Sequence, residues 1–207
     1  MMKVEVPGSM TCVPYHPRDI LSLLGSAPFQ WWIAGGWTFD LFLGRQTRDH
    51  FDVDVAISRE DQLLAQRYLD KWDFWSTSRD ENGNIVLGAW ESGQTLGNEF
   101  PGVWARESSH SPWRFEFLFH EIREQTWIFR YAEEVQHSVT TIGGLSSDGI
   151  PYQLPEISLL LKALRLRTVD QQDFRQVLPH LSQSQRTQLA HDLYKLNLEH
   201  PWLSALV

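Results

Sequence analysis

Trp32-Ile33-Ala34-Gly35-Gly36-Trp37 ends an apolar run on a glycine pair, and Asp52-Val53-Asp54-Val55 opens the next run with two carboxylates one residue apart. Side chains alternate faces along a strand, so Asp52 and Asp54 point the same way, about 7 Å apart along the backbone. Val53, Val55 and Ile57 take the opposite face, which reads as core. Two anionic oxygen ligands on one rigid edge suit Mg²⁺, which takes one or two protein carboxylates and completes its shell with phosphate oxygens and water. The glycines, having no Cβ, let backbone N–H groups approach phosphate closely. Each half alone also fits something plainer, an ordinary strand-to-helix turn or a solvated strand end.

The sequence between the two halves narrows the reading. It contains G-G-W-x-x-D from Gly35 to Asp40, then L-G-R-x-T-R-x-H-x-D-x-D from Leu43 to Asp54. This run closely resembles the aminoglycoside 2″-adenylyltransferase and lincosamide nucleotidyltransferase group of the DNA polymerase beta-like superfamily. The resemblance extends from about Ile33 to Trp202, through Pro155–Phe174 and His200-Pro201-Trp202, with residues 91–112 the least matched. It implies an α+β fold, a mixed sheet flanked by helices with a C-terminal helical part. It also implies an Mg²⁺-dependent nucleotidyltransferase with two metal ions. The donor would be a nucleoside triphosphate, ATP, and AMP would pass to a hydroxyl of a small molecule, an aminoglycoside or lincosamide antibiotic. Asp52 and Asp54 would then hold the metals, Gly35 and Gly36 the phosphates, and Lys162 would be the basic group facing the triphosphate.

A third acidic group usually completes a two-carboxylate metal site. Phe115-Glu116-Phe117-Leu118-Phe119 offers one, because the three phenylalanines share one strand face and Glu116 and Leu118 the other. A carboxylate in so apolar a segment is costly to bury unless a metal or cation compensates it. The alternative is an edge strand with Glu116 facing water. The resemblance places an acidic residue on a strand at about this point, commonly Asp, so Glu116 is the third ligand or base and Glu121 the reserve. Arg48 could meet phosphate and His50 could orient a carboxylate or contact the nucleotide; a local ion pair of Arg48 with Asp49 or Asp52 is the plain alternative. Ser158, Lys162 and Arg165 form a polar stripe beside a leucine face. Asp170 and Asp173 read as residues that cap or brace the helices.

Composition restricts the class. The chain has 207 residues, ample for a sizeable core, and only 21% charged residues, which speaks against global disorder. A net charge of −8 disfavours a nucleic-acid partner held by a broad basic surface and weakly favours a cationic ligand. Cys12 is the single cysteine, so no intrachain disulfide can form. No apolar run approaches the ~20 residues of a membrane span, and Met1–Ser9 lacks the blocks of a signal peptide. The expectation is a cytoplasmic protein. Ten tryptophans invite a stacking role, but core is their default. Two other classes stay open: a toxin-type nucleotidyltransferase acting on tRNA or protein, and a non-catalytic nucleotide-binding relic.

Residues 1–154 read as the mixed α/β core and 155–207 as a helical region packed on it. Strands are expected over Phe29–Ala34, Asp52–Ile57, Asp73–Thr77, Ile85–Trp90, Arg114–Phe119, Trp127–Tyr131, Val139–Ile142 and Ile150–Gln153. A turn is expected at Asp80–Gly83 and another at Gly143-Gly144. Residues 91–112, with Gly, Ser, Pro and Asn, read as a long mobile loop. Helices are expected over Asp19–Leu24, Trp37–Leu43, Glu60–Leu69, Glu156–Thr168, Asp170–Leu178 and Ser182–Asn197.

Overall fold

The computed structural model describes residues 11–79, 85–196 and 199–206. In chain order the elements are α1 (Pro17–Leu24), β1 (Trp31–Ala34), α2 (Trp37–Leu43), β2 (Asp54–Ser58), α3 (Gln62–Tyr68), β3 (Asp73–Arg79), β4 (Ile85–Ala89) and β5 (Gly102–Arg106). There follow β6 (Phe115–Arg123), β7 (Thr126–Ile128), β8 (Gln136–Ser138), β9 (Gly143–Leu145), β10 (Pro151–Gln153), α4 (Pro155–Ala163), α5 (Thr168–Val177), α6 (Gln183–Lys195) and α7 (Leu203–Leu206). They gather into two compact units, each built from two separated stretches of chain. One joins the stretch ending at Trp31 to His50–Phe119; the other joins Trp32–Asp49 to the chain from His120 onward.

In the first unit the strands run in the order β4-β3-β5-β6-β2. Adjacent pairs from β4 to β6 are antiparallel, with Trp75 opposite Trp104 and Trp104 opposite Glu116. Alternation along β6 buries Phe115, Phe117 and Phe119 and leaves Glu116 and Leu118 half-buried. Each buried phenylalanine stabilises the unit by about 1.5–3 kcal/mol. Phe115 and Phe117 meet edge to face, and Phe117 stacks on Phe74. Helix α1 starts at a capping box, where Asp19 accepts from the His16 backbone and His16 accepts from Arg18. It buries Ile20 and Leu24.

In the second unit β1 pairs in parallel with β10, and β10 pairs antiparallel with β9. The end of β6 pairs with β7, and β7 with β8. Helix α4 buries Ile157, Leu159 and Leu160, and Phe174 of α5 stacks face to face on Trp202 with ring centres 4.2 Å apart. Ser182 caps α6 in a reciprocal box with Gln185. The architecture is the expected α+β, and the change of character at Pro155 coincides with the start of α4. The compact units follow different lines from the expected 1–154 and 155–207, since α4 to α7 group with Trp32–Asp49 and the strands after His120.

Three expectations need correction. The stretch 91–112 holds a fully buried strand, β5, and the loop before it is pinned. Arg59 donates to the Gly97 and Phe100 carbonyls, Gln62 exchanges hydrogen bonds with Leu96, and Gln66 accepts from Gly93 N. Gly143-Gly144 is strand, not turn, and Val139–Thr141 is a 3-10 turn, not strand. Gly143 is required because a Cβ there would meet the Trp32 indole nitrogen at 2.0 Å. The Asp80–Gly83 turn falls outside the described residues.

Candidate active site

The carboxylates belong to the first unit. Strand β2 begins at Asp54, two residues later than the sequence pattern suggests, so Asp52 lies outside the strand, in the irregular segment before it. Asp52 is exposed and Asp54 half-buried, while Val53, Val55 and Ile57 are fully buried. Glu116 donates its backbone N–H to the Val53 carbonyl at 3.0 Å, beside the middle residue of the Asp pair. Its strand is flanked on both sides, by β5 and β2, which removes the edge-strand alternative. A carboxylate oxygen of Glu116 lies 3.2 Å from where a Cβ on Gly102 would stand, so glycine there makes room for it. Glu121, the reserve candidate, is in the second unit, opposite Ile128 of β7.

Among the described residues no three His, Cys, Asp or Glu side chains already form a metal-ligand set. What the chain offers is a pair of carboxylates with a third on the neighbouring strand. All-oxygen donors of this number fit Mg²⁺, which leaves positions for phosphate oxygens and water.

Two neighbours of the pair carried no signal in the sequence. Phe51, between His50 and Asp52, is 84% exposed. The Cys12 thiol donates to the Phe51 carbonyl at 3.4 Å. Burial first, and then the charge of Asp52, push this thiol up to about 11, against an opposing pull from Arg114. It is therefore a protonated donor. His50 is half-buried.

The glycines and cations belong to the second unit. Gly35 has φ of 63°, a left-handed conformation that glycine adopts without strain, and Gly36 is the N-cap of α2. The rest of the motif closes this turn on itself. Asp40 is buried and accepts from the Thr47 N–H at 3.0 Å and from its hydroxyl, and Gly44 ends α2 with φ of 66°. Of Trp31, Trp32, Trp37, Trp90, Trp104 and Trp113, only Trp37, next to Gly36, is not buried in the core.

Lys162 and Arg48 meet on one carboxylate. Asp173, 1% exposed, accepts from Arg48 Nε at 2.9 Å and Nη2 at 3.2 Å, and forms an ion pair with Lys162 Nζ at 2.9 Å. Lys162 also donates to Asp170 at 3.1 Å, and Arg167 grips Asp170 with two nitrogens at 2.9 Å. Burial pushes the Asp170 carboxyl up, but the Arg167 bonds and the Lys162 charge outweigh it and hold it below the usual carboxylate range. Asp170 and Asp173 thus brace the helices, and the ion pair of Arg48 is with Asp173, not with Asp49 or Asp52.

Residues 18–85 match the family model described as Aminoglycoside-2''-adenylyltransferase. No curated protein sequence matches the chain. Among solved structures, the antibiotic-resistance factor ANT(2'')-Ia in solution matches at 15% identity and TM-score 0.52, over 87% of this chain and 90% of its own. The crystal structure of ANT(2")-Ia in complex with adenylyl-2"-tobramycin matches at 14% identity and TM-score 0.52, over 86% and 95%. The lincosamide antibiotic adenylyltransferase LnuA, bound to lincomycin, matches at 16% identity and TM-score 0.48, over 77% and 92%. Residues 18–85 are thus similar in sequence to the aminoglycoside-2''-adenylyltransferase family model, and the chain shares its fold with ANT(2'')-Ia.

Proposed function

We propose that this protein transfers AMP from ATP to a hydroxyl of a small molecule of the aminoglycoside or lincosamide class, releasing pyrophosphate. The observation that carries the reading is the Asp52-x-Asp54 pair with Glu116 hydrogen-bonded alongside its middle residue. Asp52 and Asp54 would hold Mg²⁺, with Glu116 as third ligand or base. Two such ions supply electrophilic activation of the α-phosphate and neutralise the leaving pyrophosphate. Gly35 turns the backbone and Gly36 opens α2 without a side chain, suiting close approach of phosphate. The acceptor oxygen forms the new bond to the α-phosphorus, the bond to pyrophosphate breaks, and the acceptor proton goes to Glu116. A net charge of −8 attracts a polycationic aminoglycoside.

The test is incubation with Mg²⁺, each nucleoside triphosphate and a panel of aminoglycosides and lincosamides, read by mass spectrometry. The expected product is an acceptor heavier by one adenylyl group, with pyrophosphate released in equal amount. Binding of ATP without any transfer across the panel would remove the antibiotic acceptors. No binding of any nucleoside triphosphate would remove the reading altogether.

A further inference from the structure

Lysine is ordinarily a mobile, solvated side chain rich in rotamer entropy. Lys162 is not: it is 8% exposed, held by Asp173 at 2.9 Å and Asp170 at 3.1 Å, with its ammonium 5.5 Å from the centre of the Phe39 ring. Its ammonium donates a hydrogen bond to Asp170 and forms an ion pair with Asp173. Arg48 is fixed as firmly, since both oxygens of Asp173 take a guanidinium nitrogen and a third nitrogen reaches the Asp49 carbonyl at 3.0 Å. Buried Lys162 and half-buried Arg48 balance the charges of Asp170 and Asp173, while Arg167 adds a cation that is 48% exposed. Asp173 is the only one of these carboxylates that touches both Arg48 and Lys162.

We propose that Asp173 is a positioning residue: its carboxylate sets the Arg48 guanidinium and the Lys162 ammonium side by side, so that they meet the phosphates of the nucleotide as one preformed pair. This rests on the nucleotidyltransferase reading. Its physical basis is preorganisation, because a cation already held in place loses little freedom when phosphate arrives. A residue that only braced helices α4 and α5 would affect every ligand alike, or none. A residue that sets phosphate-binding cations affects ligands according to how many phosphates they carry.

The experiment compares wild type with Asp173→Asn in binding ATP, AMP and adenosine by calorimetry, with melting temperature measured alongside. The expected result is a loss of ATP affinity of about tenfold or more, the scale of one charge-assisted hydrogen bond, with adenosine binding unchanged. Equal ATP affinity in the two proteins, or parallel losses for ATP and adenosine, would overturn the proposal. If Asp173→Asn does not fold, Arg48→Lys keeps the charge but removes the two-nitrogen grip. It should show the same phosphate-dependent loss in smaller measure, and an unchanged ATP affinity there would equally overturn it. A wild type that binds no ATP would instead defeat the nucleotidyltransferase reading on which the proposal stands.

Discussion

At the scale of single residues the three carboxylates separate by what each should do when neutralised. Asp54→Asn relieves repulsion from Asp52, so transfer should be abolished while the melting temperature holds or rises; wild-type turnover would exclude Asp54 from the metal site. Glu116→Gln should leave ATP binding largely intact and slow transfer by ~10²–10⁴, the range for losing a positioned general base. Single-turnover kinetics at saturating ATP separates the two effects. Glu156, at the start of α4, makes a pH prediction. Burial pushes its carboxyl above the usual range, and the hydrogen bond from Gln185 only partly offsets this. The stability this group contributes is fully present below its unfolded-state pKa and is lost as pH rises through the raised folded-state value. Glu156→Gln should therefore be neutral near pH 4 and raise the melting temperature at pH 8. A variant destabilised equally at both pH values would contradict this.

At the scale of elements, glycines sit where strands press together. Gly102→Ala would bring a Cβ to 2.3 Å from the Phe117 carbonyl, and Gly143→Ala would strike Trp32. Each should lower stability by about 1–3 kcal/mol, the usual cost of overpacking, measurable by urea unfolding. These glycines also show why parts of the sheet escaped the sequence. Gly102-Val103-Trp104-Ala105-Arg106 is buried at every position, so it lacks the alternation that marks a half-exposed strand. Its flanking Gly, Ser and Pro mimic loop chemistry. Gly143-Gly144 looks like a turn for the same reason, since nothing local reveals an indole from β1 standing over it. By contrast, Trp37–Leu43 and the Phe115-x-Phe117-x-Phe119 alternation were legible because their signals are periodic and local. The Asp pair and Glu116 were legible as residue types, but the hydrogen bond joining their strands is a long-range fact. So is the bond from Asp173 to Arg48, which no spacing could disclose.

At the scale of the whole molecule, stability should depend on the buried ion network more than on any surface charge. Asp170 is fully buried between Lys162 and Arg167, so Asp170→Asn leaves a buried ammonium short of a partner. The expected cost is about 3 kcal/mol at pH 7. Because the Asp170 carboxyl is held below its usual range, its contribution is present above the unfolded-state pKa and disappears as pH falls through the folded-state value. Denaturant titrations of both proteins should converge in acid, and a difference that persisted there would place the loss outside this network. Among the described residues no helix is long and apolar enough to cross a membrane.

The two-stretch construction of each unit also orders events in time. Strands β3, β4, β5 and β6 pair with partners close in sequence, whereas Ile33 of β1 must await Tyr152 of β10. Closing so long a loop costs more chain entropy and slows the step. On a ribosome, Trp32–Asp49 emerges early, yet its compact unit is completed by the chain beyond His120. Pulse-labelled hydrogen exchange during refolding should therefore find β3 to β6 protected first, with β1 and β10 acquiring protection together and later. Simultaneous protection of all strands would mean that the chain folds as one cooperative unit.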